Sequence, residues 1–241
     1  AADLGGFTSG TGTVVYDGSS NQSIDSSTTL YFYDLTIDNS SYVDASTGRF
    51  EVTNQLTLGA GDFITGKFND FHHVDIAGGA SLSLGWDMNV TGNWSNAGTL
   101  NHNGYAVIFD GADQIISGAT TFYDLTKTVS STDTLYFADG ETQTVANALT
   151  LQGASGALLA LDGVFGSEWY IDAQGTRTIE YLDVQNSNSV NATPIDVRGA
   201  NCTDSGGNTN WIFTNSAPTI DQTGPLSVTM SEDGSPTAWG A

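Results

Sequence analysis

Short apolar segments recur along this chain, and their recurrence limits its fold more than any other feature. Val14-Val15-Tyr16, Phe50-Glu51-Val52, Leu56-Thr57-Leu58, Val74-Asp75-Ile76, Leu82-Ser83-Leu84 and Met88-Asn89-Val90 follow one another at short intervals. The series goes on through Leu135-Tyr136-Phe137, Leu149-Thr150-Leu151, Trp169-Tyr170-Ile171 and Ile195-Asp196-Val197. Most set two or three apolar residues on one side of an extended chain, with a polar residue between them. That is the period of a strand. Gly, Asn, Asp and Ser fill the gaps and suit tight turns. Strong helix formers are scarce, and the nearest helical candidate, 146–151, ends in Thr150 and Leu151 and reads as a strand.

Three blocks repeat in order. Val14-Val15-Tyr16-Asp17-Gly18 returns as Val107-Ile108-Phe109-Asp110-Gly111, Gln22-Ser23-Ile24 as Gln114-Ile115-Ile116, and Tyr33-Asp34-Leu35-Thr36 as Tyr123-Asp124-Leu125-Thr126. The separations are 93, 92 and 90 residues, so loops vary while blocks persist. Such a unit stacks on its neighbours. The expected fold is all-β, a parallel β-helix over residues 1–215. At roughly 20 to 25 residues per coil it makes about nine coils and a rod of about 40 to 45 Å. Asp17-Gly18 and Asp110-Gly111 speak against this, because each suits a hairpin turn. The glycine-rich stretch 5–13 reads as part of an N-terminal cap.

The formal net charge is −22, from 27 acidic and 5 basic residues. A surface so acidic disfavours nucleic acid and anionic lipid as partners. It attracts cations, calcium among them. Cys202 is the only cysteine, so no intrachain disulfide forms, and a small buried hydrophobe is its expected role. No signal peptide is visible and no apolar run approaches membrane-spanning length, so no membrane insertion is expected.

Composition shifts after Asn215, and residues 217–241 hold three of the four prolines. Leu226, Val228 and Met230 alternate as one strand would. A single strand makes no domain. Residues 216–241 are therefore a linker, a begun module, or an arm that adds a strand to another surface, with Trp239 as its apolar anchor.

Thr142-Gln143-Thr144-Val145, Leu149-Thr150-Leu151-Gln152-Gly153, Tyr181-Leu182-Asp183-Val184-Gln185-Asn186-Ser187 and 204–211 resemble a repeat of very large bacterial surface proteins. Phe122-Tyr123-Asp124-Leu125-Thr126 looks like the haemagglutinin-type repeats of secreted adhesins. The resemblance implies a right-handed parallel β-helix in a secreted or cell-surface protein. Residues 217–234 look like the start of a cadherin-like or immunoglobulin-like module. Scaffolds of this kind serve filaments, adhesins and glycan-active enzymes alike, so the likeness speaks to fold more than to function.

Candidate sites follow from residue chemistry. Asp62, Lys67, Asp70, His72, His73 and Asp75 lie close in sequence and carry the groups a polysaccharide lyase or hydrolase needs. His72 and His73 fall on opposite faces if both belong to one strand, and a polar loop beside a strand is the expected reading. Asp110, Asp113 and Asp204 place oxygen ligands near glycine, without the twelve-residue calcium loop; calcium is the one cofactor considered. Trp86 and Trp94, with Tyr31, Tyr33, Tyr42 and Tyr123, are taken as outward aromatics able to stack on sugar rings. The expected role is a structural module of a surface assembly, without catalysis, joined end to end by strand addition. Its partners are copies of itself or other surface domains. The alternatives are a glycan-binding adhesin module and a glycan lyase or hydrolase.

Overall fold

A computed structural model describes residues 10–67 and 69–214, with the backbone of 229–230 and 237–238. The chain is a parallel β-solenoid of about nine turns, as the alternation predicts. Each turn lays down strands on three faces. The first face runs Thr13–Gly18, 34–39, 55–60, 73–76, Trp94–Asn96, Gln114–Ser117, Asp133–Phe137, Leu159–Gly163, Leu182–Gln185 and Thr203–Gly206. The second begins with Gln22–Ser23 and 43–44 and reaches Ser187–Ser189. The third begins with 29–32 and passes through Met88–Val90, Ala106–Phe109 and 148–152 to Thr176–Glu180. Ile195–Asp196 and Trp211–Ile212 form a separate parallel pair near the end of the described rod. Neither Asp17-Gly18 nor Asp110-Gly111 closes a hairpin, because the strands beside them pair in parallel with other coils.

The core is a column of like residues in register. Leu35 lies over Leu56, Leu56 over Val74, Val74 over Trp94, Trp94 over Ile116 and Ile116 over Phe137. All six are buried. Each such side chain contributes about 1.5–3 kcal/mol by leaving water. Phe137 and Trp169 stack with ring centres 3.9 Å apart. The buried indole of Trp169 donates its N–H to the Gln185 carbonyl at 2.9 Å, so the column leaves no tryptophan donor unmet there.

Faces meet in two ways, by loops or by a tight corner. At a tight corner the alternation breaks and two successive side chains point outward. Phe32 and Leu35 are buried, and Tyr33 and Asp34 between them are not. Phe122, Tyr123, Asp124 and Leu125 do the same. In both corners the register to the next coil slips at the break. Aspartate ties each corner to its neighbour. Asp34 Oδ1 accepts from Asn54 Nδ2 at 2.7 Å, and Asp124 Oδ1 from Asn147 Nδ2 at 2.7 Å.

These two corners join different faces. Tyr33-Asp34 carries the chain from the third face to the first, while Tyr123-Asp124 carries it from the second to the third. Val14–Tyr16 likewise lies on the first face and its repeat Val107–Phe109 on the third. What repeats in the sequence is thus strand, corner and strand, not a position on the rod.

Leu226, Val228 and Trp239 lie outside the described residues, as does most of the expected cap. Thr229–Met230 pairs antiparallel with Thr237–Ala238. Among the described residues no helix is long and apolar enough to cross a membrane.

Candidate functional site

The acid–base set expected from sequence is dispersed around the rod. Asp62 sits on the second face, where both its oxygens accept from Ser83 and one also from Ser81. Asp70 lies outward on the third face and accepts from Asn89 Nδ2 at 2.7 Å. Asp75 stands on the first face. Lys67 occupies the turn that leads from the second face to the third.

His72 and His73 come together, and here the expectation of opposite faces is corrected. They form a tight corner between buried Phe71 and Val74, so both point outward, with ring centres 4.1 Å apart. The next coil engages each ring. His72 Nδ1 is 2.9 Å from Thr91 Oγ1, and His73 Nδ1 accepts the Asn93 N–H at 2.8 Å. Burial and then the neighbouring His72 push the His73 imidazole below its ordinary value, which favours the neutral ring that accepts that N–H.

The loop around Asp110 and Asp113 holds a cation of its own making. Lys127 is fully buried, and its ammonium lies 2.8 Å from Asp133 Oδ2. It also donates to the Gly111 carbonyl at 2.7 Å and to Gln114 Oε1 at 3.0 Å. Asp133 Oδ1 accepts the N–H groups of Asp113 and Thr134, each at 2.7 Å. Burial alone would raise the Asp133 carboxyl, but these N–H donors and the Lys127 ammonium outweigh it and hold it below the usual range. Asp110 is raised, chiefly by burial and further by Asp70. Asp204, the third calcium candidate, accepts from the Gly206 N–H at 3.0 Å and Asn208 Nδ2 at 2.6 Å. Among the described residues no group of three or more His, Cys, Asp or Glu converges as a metal site.

Trp94 is not an outward aromatic. Its side chain has no exposure, and its indole N–H donates to Thr120 Oγ1 at 3.0 Å. Asn93 and Ser95 beside it face outward, as alternation along the strand requires, while Asn96 is buried with it and also donates to Thr120 Oγ1, at 3.1 Å. Trp86 does reach the surface, with 42% of its area exposed. Tyr105 stacks near it with ring centres 6.0 Å apart, and Lys67 Nζ lies 5.9 Å from the centre of its ring.

This row has a simple origin in register. Asn69 pairs with Met88, Met88 with Val107, and Val107 with Leu125. Two residues before each stand Lys67, Trp86, Tyr105 and Tyr123, one per coil, in line along the rod. His102 packs on Tyr123 with ring centres 5.3 Å apart. Sequence reasoning missed the row because its members are 18 or 19 residues apart, one coil length each.

Two arginines are engaged by their own coils, Arg177 inside the rod and Arg198 at its surface. Arg177 points inward, and its guanidinium donates to the carbonyls of Ala173 at 2.6 Å, Pro194 at 2.6 Å and Thr193 at 3.1 Å. Arg198 Nε donates to Asp196 Oδ1 at 2.9 Å and holds that carboxyl down at about 2. Cys202 is half-buried, and burial raises its thiol. One surface depression of about 410 Å³ is lined by small residues and Glu141, whose carboxylate accepts the Gly118 N–H. No family model matches the sequence, and no curated protein or solved structure matches it.

Proposed function

We propose that the chain is a non-catalytic structural module of an extracellular or bacterial cell-surface assembly, a rod that joins end to end by strand addition. One observation carries this reading. Among the described residues, Thr13–Gly18 pairs only with 34–39, and Thr203–Gly206 only with Leu182–Gln185. Among the described residues, each end coil therefore leaves a row of backbone donors and acceptors on its outer side, the template that added strands use. The segment after Asn215, with Leu226, Val228, Met230 and Trp239, supplies the strand that one subunit lends to the next. The resemblance of the repeats to bacterial surface proteins supports an extracellular setting, and the acidic surface keeps such rods soluble.

Electron microscopy and light scattering of the chain, whole and cut after Asn215, test this. The whole chain is expected to form end-to-end chains of rods, and the cut chain single rods. If both forms remain single rods at high concentration, strand exchange is wrong.

A further inference from the structure

We propose that Asn103-Gly104 is a self-modifying turn, with His102 as its base. His102 draws the proton from the Gly104 amide, and the freed nitrogen closes on the Asn103 side chain. The asparagine passes through a succinimide to aspartate and isoaspartate. The reaction consumes only water and is independent of how rods join.

The turn sets three groups side by side. His102, Asn103, Gly104 and Tyr105 form it, closed by the Tyr105 N–H on the His102 carbonyl at 2.9 Å. Asn103 and Gly104 are both left-handed, with φ 51° and 84°. Two such residues in succession make the tight turn that Asn-Gly favours. This is the only Asn-Gly step in the chain. Both residues are exposed, and a Cβ placed on Gly104 would meet nothing within 4 Å, so the turn is open to water.

The Gly104 N–H donates to His102 Nδ1 at 3.1 Å. A ring nitrogen that accepts carries no proton, so Nδ1 is the basic nitrogen and Nε2 holds the hydrogen. An amide bonded to a carbonyl faces an acceptor too weakly basic to take its proton. An amide bonded to imidazole faces a base already in place. Other steps lack one half of this arrangement. The residues after Asn96, Asn186 and Asn188 give their N–H groups to oxygen. Ala97 donates to the Ile76 carbonyl at 2.8 Å, Ser187 to Asn208 Oδ1 at 3.0 Å, and Ser189 to the Thr209 carbonyl at 3.0 Å. The Asn93 N–H does meet His73 Nδ1, but the residue before it is Gly92, which has no carboxamide to attack.

As the Gly104 proton passes to Nδ1, the Gly104 nitrogen forms a bond to Asn103 Cγ and the succinimide ring closes. The Cγ–Nδ2 bond breaks. Nδ2 leaves as ammonia with the proton that the imidazolium returns, so His102 ends unchanged. Water then opens the ring at either carbonyl, which gives aspartate or isoaspartate at position 103.

The product differs from the parent where two coils meet. Asn103 Nδ2 donates to the Leu84 carbonyl of the neighbouring coil at 2.9 Å. A carboxylate cannot make that bond. Isoaspartate also adds a carbon to the backbone two residues before Tyr105, which stacks near Trp86. The modified rod carries one more negative charge and a loosened tie between coils.

Incubation of the folded protein at neutral pH, followed by peptide mapping with mass spectrometry and an isoaspartate assay, tests the turn. The parent chain is expected to gain aspartate and isoaspartate at position 103, while Asn96, Asn186 and Asn188 stay as they are. His102→Phe keeps a ring beside Tyr123 but removes the base, and His102→Gln keeps an acceptor that cannot take the proton. Each is expected to slow conversion by about tenfold or more. A merely structural histidine gives the opposite sign, because losing its bond loosens the turn and speeds ring closure. Far-UV circular dichroism shows which variants keep their strands. Either folded variant converting as fast as the parent chain, or faster, overturns the proposal. So does a parent chain that converts no faster at Asn103 than at Asn186.

Discussion

Lys127 and Asp133 form an ion pair of 2.8 Å inside the rod, the lysine with no exposure at all. Its two partners differ in what they leave behind when removed. Asp133→Asn strands an ammonium among carbonyl groups, and a buried charge without its counter-ion costs about 3–5 kcal/mol. Lys127→Met is expected to cost less. Asp133 keeps the N–H groups of Asp113 and Thr134, and the thioether fits a position registered on Leu151. Urea unfolding of the two variants measures the difference.

The same carboxylate sets a pH dependence. Its folded value lies below the ordinary one of about 3.9. The stability it contributes is therefore complete above about pH 4 and fades as pH falls through the folded value. Urea midpoints taken from neutral pH downward are expected to converge for the parent chain and Asp133→Asn. Midpoints whose gap stays constant below pH 4 would mean that Asp133 is not the group responsible.

The corner aspartates have a measurable share. Asp124 Oδ1 accepts from both Asn147 Nδ2 and the Ala148 N–H, the latter at 2.9 Å. Asp124→Ala is expected to cost about 1–2 kcal/mol, in line with lost hydrogen bonds at a partly buried site. The Ala148 amide is expected to exchange faster with deuterium, while amides of the core strand at Leu161 keep their protection.

Phe165 offers a gain. It sits at the tip of a tight turn with φ 58°, and its side chain is 102% exposed. A left-handed backbone strains any residue with a Cβ by about 1–2 kcal/mol, and this side chain buries nothing in return. Phe165→Gly is expected to raise the thermal midpoint by a few degrees in a scan at fixed rate.

The strands were legible because a buried face requires an apolar residue at every second position. Leu56-Thr57-Leu58 and Val74-Asp75-Ile76 carry that rule openly. The corners were not, because a corner breaks the rule for two residues and looks like a change of face. His72 and His73 were misjudged for that reason, and Trp94 because Asn93 and Ser95 point the other way and the polar Asn96 is buried beside it. The Lys67–Trp86–Tyr105–Tyr123 row was invisible for a different reason. Its members meet only once the length of each coil is known, and loops change that length from turn to turn. The cation beside Asp110 and Asp113 was equally hidden, since Lys127 reaches them from a separate strand.

The migration of the bend from one edge of the rod to another has a consequence for how such a molecule grows. A segment duplicated within the chain need not complete a circuit to fit, because two strands and their bend seat equally well on any pair of sides. A loop absorbs whatever length is left over. Lengthening can therefore proceed in fractions of a turn, and copies of one ancestral piece come to face different directions while sharing a single hydrophobic axis.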